Sequence, residues 1–330
     1  MIRTAARCPA KMLGDEQAGM AVGAVEGGAS TMPDRQEAPH APRVRWPSDR
    51  RHRVTTPDGL DLCVREAGNP DGWPILFIHG LAQAHLSWSA QFTSPLARRH
   101  RLIAYDLRGH GESAKPLDAA YYQDGRRWAD DVRAVIDGLQ LDRPVVVGWS
   151  LGGRVLRSYL IEHGDGALGG LNFLSTRPFE DPAVLAPASQ ADLAGRPDSL
   201  ASRIDAHIVF LRACFHRQPS DDDFTIAVAY NAIVPQEVRA AISGWSTSLE
   251  ATRAALGRVT VPTLVTHGRD DGLIRPRAAE MTAGAVPGAR ISWYDDCGHS
   301  PFAEHATRYN DELDAFVDEV RAHHGRPSRA

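Results

Sequence analysis

The chain has 330 residues, 43% of them hydrophobic and 24% charged, enough apolar material for one large core or for a core with a lid. Its 37 Lys and Arg against 41 Asp and Glu leave a formal net charge of -4, so there is no basic footprint for nucleic acid or for an anionic membrane surface. A polyanionic partner is not expected, and because no run of about 18 apolar residues occurs, neither is a membrane span.

Residues 1–47 are rich in Ala, Gly, Pro, Glu and Arg and poor in Ile, Leu and Phe, which predicts a disordered extension. Lys11, Asp15 and Glu16 interrupt it before any sustained apolar region, so it reads poorly as a secretory signal. Two strands follow, "RHRVTT" and "LDLCVREAG", joined by the turn "PDG" at Pro57 to Gly59. Then strands and helices alternate: strand "PILFIHG", a helix from Ser87 to Arg98, strand "RLIAYD", helix "YYQDGRRWADDVRAVIDGLQL", strand "PVVVGWS", helix "LGGRVLRSYLIEHG" and strand "GGLNFLST". The strands are apolar throughout, as strands buried on both faces are. In the helix before "PVVVGWS", Trp128, Val132, Val135, Ile136 and Leu139 share one face, with Asp130, Asp131 and Arg133 on the other.

Such alternation predicts an α/β fold with a mostly parallel, doubly wound sheet. Residues 176–256 read as helical without a good strand, after which come strand "VPTLVTHG", a helix around Arg277 to Ala283, strand "ARISWYDD" and a last helix from Pro301 to His323. Residues 48–175 and 257–330 are therefore expected to form the core, and 176–256 a helical cap inserted between its strands. Cys8, Cys63, Cys214 and Cys297 have neither CxxC nor Cys/His ligand spacing, so no disulfide framework or metal site is suggested and a reduced, cytoplasmic setting is expected.

The pentapeptide Gly148-Trp149-Ser150-Leu151-Gly152 lies between a predicted strand and a predicted helix. A serine on that turn stands exposed above a sheet, at a helix N-terminus where amides stabilise negative charge. Serine is a poor nucleophile at neutral pH, so a base must take its proton and an acid must orient that base. His299 in "YDDCGHSPF" is placed for the first role, and Asp270 or Asp271 in "THGRDDGLIRP" for the second. The amides of Leu151 and of Leu81, in the loop after "ILFIHG", are the expected oxyanion donors.

Together "FIHGLAQAHLSW", "YDLRGHGES", "GWSLGG", "HGRDDGLIRP" and "CGHSPF" resemble the α/β-hydrolase superfamily over roughly residues 50–322. The resemblance implies the α/β-hydrolase fold with Ser150 as nucleophile, His299 as base and Asp271 as acid, since the family's acid usually lies three places after the glycine, here Gly268. Ser150 disfavours the dehalogenase and epoxide hydrolase branches, which use a carboxylate nucleophile. "GWSLGG" with a helical lid looks like the serine esterases related to cofactor-free haloperoxidases.

The resemblance thus implies hydrolysis of a small-molecule ester, thioester or lactone through an acyl-enzyme, with no metal or organic cofactor required. Carbon–carbon bond hydrolysis, acyl transfer, lyase chemistry and non-catalytic ligand binding stand as alternatives on the same scaffold. Trp149, Trp88, Leu86, Phe210 and Phe215 are expected to line a largely apolar pocket. His79, His110, His267 and His305 read as structural, and Asp106 and Arg108 as shaping their own turn.

Overall fold

The computed structural model describes residues 46–47, 49–186 and 199–325. The extension expected over residues 1–47 lies, but for 46 and 47, outside the described residues, as does Cys8.

Strands β1 (Arg50–Thr55) and β2 (Asp61–Gly68) form the expected antiparallel hairpin. β3 (Trp73–Ile78), β4 (His100–Tyr105), β5 (Val145–Trp149), β6 (Gly170–Leu174), β7 (Thr263–Gly268) and β8 (Arg290–Tyr294) extend it into one sheet of order β1-β2-β4-β3-β5-β6-β7-β8. Only the β1/β2 and β2/β4 pairs are antiparallel, so β2 alone is reversed and the other seven strands point their carboxyl ends the same way. In open sheets of this kind ligands bind beyond those ends.

Every residue of β3 and β5 is buried, and their side chains alternate between two apolar clusters. Leu76, Ile78 and Val146 face α3 (Gly125–Gly138) and α4 (Leu151–His163), which supply Trp128, Val132, Leu156 and Tyr159. Ile75, Phe77, Val145 and Val147 face the other side, covered by short helices α1 (Ser89–Phe92) and α2 (Leu96–Arg99) and by Tyr309, Leu313, Phe316 and Val320.

Between β6 and β7 lie α5 (Leu200–Ala213), α6 (Asp221–Ala232), α7 (Gln236–Ser243) and α8 (Leu249–Gly257); α9 (Arg277–Ala285) joins β7 to β8, and α10 (Pro301–Glu304) and α11 (Ala306–His323) close the chain.

Several expectations change. The helix expected from Ser87 to Arg98 is a 3-10 turn at His85–Trp88 and two single turns, separated by Thr93, Ser94 and Pro95, because proline has no amide to continue a helix. The last helix is broken at His305, whose φ of -128° and ψ of 48° leave the helical region. Asp131 is fully buried rather than on the solvent face of α3. It meets Arg108, whose Nη2 and Nε stand 2.6 and 2.7 Å from its two oxygens and whose Nη1 also reaches Asp58 at 3.0 Å. Arg108 therefore ties the loop after β4 to α3 and to the hairpin turn, a wider role than shaping its own turn. A buried pair so satisfied holds its register, since removing either partner would strand a charge.

Residues 177–186, expected as the start of the helical cap, hold only a 3-10 turn at Pro182–Val184, after which the chain runs along the loop after β7: Leu185 and Ile274 form an isolated β-bridge, and Ala186 N donates to Leu273 O at 2.9 Å. Residues 187–198 of the expected cap lie outside the described residues. No helix among the described residues is long and apolar enough to cross a membrane.

Candidate active site

β5 ends at Trp149, α4 begins at Leu151, and Ser150 makes the turn between them at φ 53° and ψ -111°. A non-glycine residue in that region stores roughly 1–3 kcal/mol and persists only where its neighbours fix it. Here Ser150 N donates to Leu174 O at 3.0 Å, and Thr176 Oγ1 donates to Ser150 O at 2.9 Å. The glycines around it are demanded by backbone contact. A Cβ on Gly148 would stand 2.8 Å from Gly152 O, one on Gly152 would run into Ile78 O, and one on Gly153 would run into Thr176. The serine is raised because strand and helix meet too closely for side chains on either side of it.

The loop after β3 comes to the same place. A Cβ on Gly80 would lie 3.4 Å from Ser150 Cβ and 3.3 Å from the Trp149 ring. Leu81 follows directly, while Leu151 opens α4, where the first amides have no acceptor within the helix. Both expected oxyanion donors thus belong to backbone adjoining Ser150. His79 shapes this loop: its Nδ1 donates to Gly80 O at 2.8 Å and its Nε2 accepts from Leu107 N at 3.0 Å. Burial pushes its pKa down to about 4, and burial with the neighbouring His79 brings that of His110 down to about 3. Both rings are fully buried, neutral spacers near pH 7.

The loops after β7 and β8 are laced together, with Arg269 N donating to Tyr294 O at 2.8 Å and Asp270 N to Cys297 O at 2.9 Å. Asp270 is exposed, whereas the Asp271 side chain is fully buried. Asp271 Oδ1 accepts the amides of Leu273 and Ile274 at 2.8 and 2.9 Å, and Oδ2 lies 2.8 Å from His299 Nδ1. Burial alone would raise the Asp271 pKa; the charge and bond of His299, the nearby His267 and the Ile274 amide outweigh it and hold the carboxyl below its usual range. An ionised Asp271 keeps the proton of His299 on Nδ1 and leaves Nε2 as the basic nitrogen. The His299 loop reaches the elbow through Trp149, whose Nε1 donates to His299 O at 2.9 Å.

Two residues beside Asp271 and His299 were not placed at the site from the sequence. His267, read only as structural, is fully buried 3.3 Å from Asp271 Oδ2, and its Nε2 donates to Ile274 O at 2.9 Å, closing the loop that carries Asp271. Glu304 gathers backbone amides around His299. Its only sequence signal is its place in α10, directly after the histidine loop.

The expected pocket residues divide. Trp88 is fully buried, 4.5 Å from the Phe302 ring and 6.2 Å from the Trp149 ring, and so is corrected from pocket wall to packing. Trp149, 2% exposed, is likewise corrected: its indole underlies the His299 loop. Apolar rings beside strand ends fill the core here because β3 and β5 are covered on both faces. Phe210 and Phe215 are half-buried against Val184, Cys214, Leu273 and Ile274, beside the Asp271 loop. Leu86 lines a cavity of about 330 Å³ with His85, Glu112, Tyr230 and Ile233, which does not include Ser150, Asp271 or His299.

Two groups bring possible metal donors within 4.8 Å of one another, Cys63–Asp106–Glu112 and His216–Asp270–Asp296. In the first, Asp106 is already engaged by His85 and the Glu112 amide, and Cys63 Sγ by Glu112 at 3.2 Å. In the second, Arg217 stands 3.8 Å from Asp296. Neither donor set fits a metal as it stands. Cys63, Cys214 and Cys297 are buried.

A family model described as alpha/beta hydrolase fold matches residues 74–306. The solved structure of what is named a "putative aryl esterase" from Burkholderia cenocepacia is 38% identical, with a TM-score of 0.78 over 83% of this chain and 100% of that one. A non-heme chloroperoxidase of Streptomyces lividans is 28% identical over 80% of this chain and 98% of its own length. A 2-hydroxymuconate semialdehyde hydrolase of Pseudomonas sp. (strain CF600) is 26% identical over 80% of this chain and 93% of its own.

Proposed function

The chain belongs to the alpha/beta hydrolase fold family, and from that premise we propose that it hydrolyses the ester, thioester or lactone of a small, largely apolar substrate through an acyl-enzyme on Ser150. The observation that carries this reading is the pairing of a strained Ser150 at the end of β5 with a buried Asp271–His299 couple on loops bonded to the same strand end. The likeness to proteins named esterase and non-heme chloroperoxidase supports it.

In this scheme His299 Nε2 takes the Ser150 proton as the hydroxyl attacks the substrate carbonyl, and Asp271 stabilises the imidazolium that forms. The amides of Leu81 and Leu151 receive the oxyanion, whose charge appears only on the way to the tetrahedral intermediate. His299 then protonates the departing alkoxide or thiolate and activates the water that releases the acid. The helices between β6 and β7 act as a cap, with Phe210 and Phe215 offering the acyl chain apolar surface. The scheme uses no metal or organic cofactor.

A fluorophosphonate probe tests the assignment: it should label the wild type at Ser150 and leave Ser150→Ala unlabelled, and persistent labelling of the variant would sink the proposal. p-Nitrophenyl esters of rising acyl length then define the substrate. The second reading, carbon–carbon bond hydrolysis, draws on the hydrolase of 2-hydroxymuconate semialdehyde among the relatives. Turnover of that compound at a rate exceeding ester hydrolysis would favour it.

A further inference from the structure

Glu304, half-buried at the end of α10, accepts four backbone amides with one carboxylate. Oε1 takes Gly298 N at 3.0 Å and Ser300 N at 3.3 Å, the two amides flanking that of His299. Oε2 takes His216 N at 3.0 Å and Arg217 N at 2.8 Å, in the link between α5 and α6, and touches Gly298 N again at 3.1 Å. The same two segments also meet directly, since His299 N and Ser300 Oγ both donate to Cys214 O at 3.1 Å. Their backbones leave no room for a side chain: a Cβ on Gly298 would stand 2.5 Å from His216 N and 3.0 Å from Phe215 C.

We propose that Glu304 is a positioning residue that couples the cap to the catalytic base, holding the His299 loop with one oxygen and the α5–α6 link with the other. The division of labour requires a carboxylate. Two oxygens with about four lone-pair sites match four N–H donors, whereas a carboxamide must turn its own NH2 toward one of the two pairs. Charge-assisted bonds of this kind are also stronger than neutral ones. Because His299 N and the amides on both sides of it are anchored to the cap link or to Glu304, a displaced cap shifts the imidazole relative to Asp271 and Ser150. Substrates that leave the cap unseated are then turned over slowly rather than bound weakly. This inference rests on His299 being the base.

The test uses the full chain with Glu304→Gln, nearly isosteric, and Gly298→Ala, which keeps the carboxylate but wedges the two segments apart. For each, kcat and KM on a short-chain ester, the thermal midpoint and the downfield proton NMR signal of the imidazole N–H shared with Asp271 are measured. Below the unfolding transition, kcat should fall by roughly tenfold or more while KM changes by less than about twofold, and the downfield signal should broaden or vanish. A lowered thermal midpoint with wild-type kcat and an unchanged signal overturns the coupling and leaves Glu304 a merely structural brace. Should Glu304→Gln yield little folded protein, Gly298→Ala carries the same readouts. Ser150→Ala in parallel separates the two ideas: if it keeps activity, the proposed function fails, and if it loses activity while both other variants match wild type, only the coupling fails.

Discussion

In α4 every residue from Leu151 to Leu160 is buried, whereas in α5 only Leu211 is, and in α6 only Ala227 and Asn231. Leu200, Ile204 and Val209 of α5 are 65%, 45% and 61% exposed. All three helices hold apolar residues, but α4 uses them in packing throughout while α5 and α6 use few. The strand-end loops and the helix they feed are fixed by many neighbours at once, so a strained serine and a buried carboxylate can be held there. Of the helices between β6 and β7, α5 and α6 are fixed by few.

The largest effect that would separate the two regions is at Asp271. Asp271→Asn keeps the size of the side chain and can still accept the Leu273 and Ile274 amides, but it turns an NH2 toward His299 Nδ1 and favours the wrong tautomer. Ester hydrolysis should fall on the order of 10³–10⁴-fold with the fold intact, as steady-state kinetics beside circular dichroism would show. A loss below about tenfold would mean that Asp271 does not orient the base.

Next comes the elbow. In Gly152→Ala the new methyl meets Ile78 O, Ile78 C at 2.8 Å and His79 O at 3.0 Å, all backbone that cannot step aside. Overpacking of this kind costs about 3 kcal/mol, readable as a shift in the urea midpoint at constant slope. A neutral outcome would show that β3 and α4 are not in the tight contact that raises Ser150.

Acid titration also acts on the strand-end loops. Burial opposes ionisation of Asp106, yet the bond and charge of His85 and the amide of Glu112 bring its pKa down to about 2, and Asp271 is likewise depressed. A carboxylate depressed in the folded state contributes stability above its unfolded pKa, near 3.8, and loses it as pH falls through the folded value. For Asp106 the loss is about 2 kcal/mol, concentrated between pH of about 4 and 2. Urea midpoints at pH 6 and pH 3 should show it, and equal midpoints would contradict the depressed values.

The same contrast governs what could be read from residues alone. The parallel sheet, the elbow and the Asp271 and His299 loops were legible because each depends on local chemistry: apolar runs, glycines where a Cβ has no room, and polar residues at strand ends. Trp88 and Trp149 were misread as pocket wall because an aromatic beside a strand end has the same signature whether it meets substrate or Phe302. Asp131 was assigned to solvent because its partner Arg108 is distant in sequence. Glu304 and His267 act through backbone and a buried carboxylate, and no spacing rule marks such contacts. Leu185 and Ala186 were taken as helix because a single β-bridge to Ile274 leaves no period to detect.

One substitution made in both regions isolates the difference at its smallest. Val155 in α4 is fully buried, and Val155→Ala should destabilise by about 2 kcal/mol through lost burial and the void left behind. Val209 in α5 is 61% exposed, so truncation there removes little contact. It also replaces a β-branched residue, stiff in a helix, with the strongest helix former. Val209→Ala should therefore stabilise by about 0.3 kcal/mol, with the opposite sign to Val155→Ala in the same urea titration. If Val209→Ala destabilised as much as Val155→Ala, α5 would be packed as firmly as α4. The loose cap would then be no explanation for why its residues were hard to read.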